Sequence, residues 1–120
     1  MTIRRMKTYT GGQGYVYQYY YVGNRELEAK GGEQPGTEYI FDVTSNRKTT
    51  YAVSVFLPEA VVKGWNASHG RPLTDAERYG AVKMCLFQAF DEIEDLMSHG
   101  RRLLVDAEIL ERTLASLGVD

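Results

Sequence analysis

Residues 15–23 read Tyr15-Val16-Tyr17-Gln18-Tyr19-Tyr20-Tyr21-Val22-Gly23 and hold five of the chain's nine tyrosines. Successive side chains on a strand point to opposite faces. Tyr15, Tyr17, Tyr19 and Tyr21 therefore share one face, and Val16, Gln18, Tyr20 and Val22 share the other. Aromatic and β-branched residues favour a pleated, packed surface. Both faces of this ribbon are apolar enough to need cover, and the rest of the chain is read as what supplies it.

Downstream, Thr37–Thr44 alternates Tyr39, Phe41 and Val43 against Ile40, Asp42 and Thr44. Thr49–Leu57 alternates Tyr51, Val53, Val55 and Leu57 against Ala52, Ser54 and Phe56. Ser45-Asn46-Arg47-Lys48 between them is a turn, with Asn46 the residue suited to left-handed backbone. The two runs predict a hairpin. Its continuous apolar rows should face helices, leaving Asp42 and Ser54 on the wetter side. Upstream, Gly11-Gly12-Gln13-Gly14 predicts a tight reversal rather than a phosphate loop, because a strand and not a helix follows it. Residues 1–10 are either a flexible tail or an edge strand. Residues 24–36 are polar and rich in glycine, which predicts a mobile loop.

Helical spacing begins after Pro58, a residue suited to the first turn of a helix. Val61, Val62 and Trp65 should face the sheet, with the helix stopping near His69-Gly70. Thr74-Asp75-Ala76-Glu77 is a capping box, in which Thr74 and Glu77 satisfy each other's backbone N–H groups. Behind it Tyr79, Val82, Leu86, Phe90, Ile93 and Met97 predict one helix running to Gly100. Leu103–Val105 reads as a buried connector, and a last helix should start at Asp106 and end at Gly118. The order of elements predicts a single α+β domain over residues 1–120. It has an antiparallel sheet of three to four strands, then two to three helices packed on one face.

The chain has 120 residues, enough to bury a core without metals or disulfides. A formal net charge of −2 argues against a dedicated duplex-DNA binder. Cys85, the sole cysteine, falls in a helical pattern and reads as a buried hydrophobe rather than a nucleophile. No run approaches the roughly 18 apolar residues of a membrane helix. The basic N-terminus has no apolar run behind it, so a cytoplasmic location is expected.

No constellation demands a particular chemistry. His69 and His99 each precede a glycine at a predicted helix end and read as capping cations. Asp91, Glu92, Glu94 and Asp95 read as a solvated face, and Tyr20, Asp42 and Ser54 as a weak catalytic grouping. Neither a cofactor nor a metal site is implied, and enzymatic activity is the less favoured class. The stronger signal is the second sheet face, where Val16, Gln18, Tyr20, Val22, Ile40 and Phe56 are too apolar to leave in water comfortably. That face predicts a homodimer, with the protein acting in interaction or scaffolding. Another protein is a further candidate partner. The alternative is a module binding a ligand or single-stranded nucleic acid on the tyrosine-rich sheet, with Arg4, Arg5, Lys7, Arg47 and Lys48 as anion contacts.

Overall fold

The computed structural model describes residues 6–29 and 34–119. Its tyrosine ribbon becomes the long strand β2 (Val16–Leu27), between β1 (Lys7–Thr10) and β3 (Gly36–Thr44), antiparallel to both. β4 (Tyr51–Pro58) completes the predicted hairpin with β3. Then come α1 (Glu59–His69), α2 (Asp75–Glu92), α3 (Leu96–His99), β5 (Arg102–Leu104) and α4 (Ala107–Ser116). The fold is α+β, with one five-stranded sheet in the order β1-β2-β3-β4-β5.

The inward rows are those the alternation singled out. Phe41, Val43, Val53 and Val55 are fully buried, with Tyr39, Tyr51 and Leu57 nearly so. On β2, Tyr17 and Tyr19 are 2% and 4% exposed, and Tyr17 stacks on Phe90 of α2 at 4.3 Å between ring centroids. Tyr15 precedes the strand and is exposed. α1 and α2 lie against the inward face, and α4 packs on α1 and α2.

β1 realises the edge-strand reading of the N-terminal segment. The glycine turn closes it, with Gly11 N–H donating to the Tyr15 carbonyl and Gly14 N–H to the Gly11 carbonyl. A Cβ on Gly11 would sit 2.6 Å from the Phe90 carbonyl oxygen, so a side chain there would push the turn off α2. Gly12 N–H and the Tyr9 hydroxyl both donate to the Asp91 carboxylate, at 2.9 and 3.0 Å. Asp91 thus ties β1 to α2 and is more than a solvated charge.

Four local expectations change. First, Asn24–Leu27 is strand rather than loop, paired with Gly36–Tyr39. Cross-strand polar contacts hold it where apolar alternation is missing: Arg25 to Glu38 at 2.7 Å, and the Thr37 hydroxyl donating to Glu26 at 3.2 Å. The glycines of the predicted mobile loop, at 31 and 32, lie outside the described residues. Second, at the β3–β4 turn Arg47 takes the left-handed backbone (φ 63°). Asn46 instead uses its side-chain oxygen to accept from the backbone N–H groups of Lys48 and Thr49.

Third, α2 carries the predicted capping box but ends at Glu92. Ile93 turns extended, and Asp95 caps the separate short helix α3. The break rotates Leu96 (2% exposed) into the core in place of Met97 (45% exposed). Fourth, the predicted connector overlaps β5, which runs parallel to β4. Ser54 N–H donates to the Arg101 carbonyl and Val105 N–H to the Phe56 carbonyl. Three residues are too few to show a strand period, so only the pairing reveals it.

Candidate interaction surface

The other face of the sheet has no helix on it among the described residues. Residues directly opposite on paired strands share a face, so the register maps this surface. Tyr20 stands opposite Asp42, which stands opposite Ala52; Gly23, Ile40, Ser54 and Arg102 form the next row. Arg25, Glu38, Phe56 and Leu104 form the row beyond. Val22 is the extra residue of a β-bulge between the first two rows and is 37% exposed.

Tyr20, Ile40, Phe56 and Leu104 make a diagonal apolar stripe across four strands, with Val22 beside its start. Leu104 is half-exposed, while Tyr20, Ile40 and Phe56 are partly buried by their neighbours. The Phe56 ring lies over Gly36, where a Cβ would come within 2.8 Å of two ring carbons. A glycine is therefore required for the ring to lie flat along β3. Charges of both signs border the stripe: the Arg25–Glu38 ion pair on one side, Asp42 and Arg102 on the other. Glu38, Ile40, Ala52, Ser54, Arg101 and Arg102 also line a shallow groove of about 490 Å³.

Of the six residues predicted for this surface, Tyr20, Val22, Ile40 and Phe56 come together. Gln18 lies one row away opposite Thr44, and Val16 lies beyond it opposite Thr10. Leu104 and Arg102 were missed because β5 was read as a connector. No local signal was present, since a three-residue strand shows no period and only its pairing with β4 sets the face of Leu104.

Among the described residues, Lys7 does not join Arg47 and Lys48 in one group. Arg4 and Arg5 lie outside the described residues. Arg47 and Lys48 are on the β3–β4 turn, at the Val16 end of the sheet. Lys7 stands opposite Tyr19, hence on the helix side, where it neighbours Lys83 of α2. Burial, with Lys7 nearby, holds the Lys83 ammonium below its usual range.

The remaining titratable groups are held in structural roles. His69 stacks on Trp65 at 4.1 Å, and its Nε2 lies 2.8 Å from Glu111, bridging α1 to α4 rather than simply capping α1. His99 sits in the last turn of α3, beside the helix's terminal carbonyls, and Gly100 N–H donates to the Leu96 carbonyl. Tyr20, Asp42 and Ser54 do share the outer face, but both histidines are elsewhere. Burial pushes the Cys85 thiol up to about 11, which keeps it protonated and unreactive at neutral pH. Burial likewise pushes Tyr51 up to about 12. Among the described residues no three His, Cys, Asp or Glu side chains converge as a metal site, and no helix is long and apolar enough to cross a membrane.

No family model, curated protein or solved structure matches the chain. The reading of the site therefore rests on its own geometry.

Proposed function

We propose that the chain is a homo-oligomeric interaction or scaffolding domain in which the outer sheet face of one copy packs on the same face of a second. The observation that carries this is the diagonal stripe of Tyr20, Ile40, Phe56 and Leu104 on a face that bears no helix among the described residues. Stacked sheets bury such rows about 10 Å apart. A two-fold axis places the same patch on itself, so a surface must be self-complementary to use it. A central apolar stripe bordered by both signs of charge meets that requirement, because Arg102 of one copy is able to face Asp42 of the other. A cytoplasmic location belongs to the same proposal: the sole cysteine is a buried free thiol, as suits a reducing compartment.

A role in binding ligand or single-stranded nucleic acid through stacked tyrosines has less support. Tyr17 and Tyr19 are committed to the core, and Lys7 is on the helix side. The test is the mass in solution of the wild type and of Tyr20→Glu. A dimer that the substitution dissociates supports the proposal; a dimer that survives it places the interface elsewhere.

A further inference from the structure

The inward face is not roofed along its whole length. Beyond the bulge the register turns Asn24 and Glu26 to the helix side, opposite Tyr39 and Thr37. The first turns of α2 stand over them with Asp75, Arg78 and Tyr79. Between these elements lies a cavity of about 580 Å³, a size typical of small-molecule sites.

Its wall is aromatic on one side. The Tyr21 and Tyr79 rings meet edge-on at 4.9 Å between centroids, and Tyr39 stands 6.5 Å from each. Two of its polar side chains, Tyr39 and Arg78, carry donors without an acceptor among the described residues. Tyr39 is 6% exposed, lines the cavity, and its hydroxyl is hydrogen-bonded to no described residue. Arg78 Nε is buried with no hydrogen-bond partner, although the Arg78 charge is near enough to Tyr39 to counter the effect of burial on its hydroxyl. Buried donors are nearly always satisfied, so the unpartnered Arg78 Nε calls for an acceptor, and the Tyr39 hydroxyl stands unpaired in the same wall.

We propose that this cavity binds a small aromatic carboxylate, its ring against Tyr21 and Tyr79 and its carboxylate accepting from Arg78 and the Tyr39 hydroxyl. A guanidinium suits a planar carboxylate, and the flat ring suits edge-on or offset packing with the tyrosines. Glu26 and Asp75 also line the cavity, with Glu26 already accepting from Thr37. Their negative charge opposes a dianion such as phosphate more strongly than a monoanion. The site is on the helix side of the sheet, so it stands or falls separately from the outer-face dimer.

The test is a titration of the full chain followed by NMR at the Arg78 Nε–H and at the backbone amides of α2's first turn. The probes are 4-hydroxyphenylacetate, phenylalanine and inorganic phosphate. Saturable shifts with 4-hydroxyphenylacetate, weakened about tenfold in both Arg78→Lys and Tyr39→Phe, are expected. Saturation by phenylalanine alone, weakened in the same way, supports the same site and assigns Glu26 or Asp75 to the ammonium group. Absence of a saturable shift with either aromatic probe at millimolar concentration overturns the proposal. So does equal binding of phosphate, or binding unchanged in both folded variants.

Discussion

Tyr19 and Tyr20 are neighbours in sequence and opposite in fate. Tyr19 is 4% exposed, edge-on to Phe87 and near Phe90, while Tyr20 points to a surface without helices and stands opposite Asp42. The residue types on the two faces of β2 are similar, so composition does not decide which face is covered. The helices decide it. α2 brings Phe87 and Phe90 to the tyrosine row, and the Asp91 carboxylate locks β1 and the glycine turn onto the same side. One face is closed by the chain itself; among the described residues the other keeps a stripe that a second copy of the chain is suited to close.

The sharpest way to break this contrast is Phe90→Ala. Phe90 is fully buried beneath Tyr17, and its loss should cost about 3–5 kcal/mol in denaturant unfolding. A cost under about 1 kcal/mol would mean that the inner face is not the core. Asp91→Ala comes next. It leaves the Tyr9 hydroxyl and Gly12 N–H without their acceptor and should cost about 1–3 kcal/mol, whereas Glu94→Ala should be close to neutral. Equal effects at the two positions would reduce Asp91 to the solvated charge that its sequence context suggests.

The capping box gives a smaller effect with a pH signature. Thr74→Ala should cost about 1 kcal/mol. The Arg71 guanidinium, together with the Thr74 cap, holds the Glu77 carboxyl at about 2, below its usual 4.5. The folded state therefore binds the Glu77 proton less readily than the unfolded chain does. The resulting stability is present above pH 4.5 and is lost as the pH falls toward 2. Melting curves should show wild type and Glu77→Gln converging over that interval; a gap that stays constant would contradict this role. Smallest in stability is Leu104→Glu, on the outer face, expected to stay within about 0.5 kcal/mol for the isolated chain while abolishing self-association.

Much of the fold is written in local signals. The inward rows of β3 and β4 and the capping box appear in the structure where the sequence places them, and α4 begins one residue after the predicted Asp106, which caps it. The expectations that changed involve elements held by pairing rather than pattern. Asn24–Leu27 is polar and rests on cross-strand contacts, β5 is three residues long, and the break after Glu92 depends on Asp95 beginning a new cap. The outer face was legible as an apolar row on β2, β3 and β4. Its completion by Leu104 was not, because it depends on β5 docking beside Phe56. The cavity behind Tyr39 had no sequence signature either, since the bulge at Val22 is what turns Asn24 and Glu26 toward α2.

Sedimentation of the purified chain over a hundredfold range of concentration, alongside Leu104→Glu, decides whether the outer face holds two copies together. A wild type that associates to twice the mass of one chain, with a folded variant that stays at the mass of one, is the predicted result. A wild type that remains monomeric throughout, or a dimer that Leu104→Glu leaves intact, would contradict it.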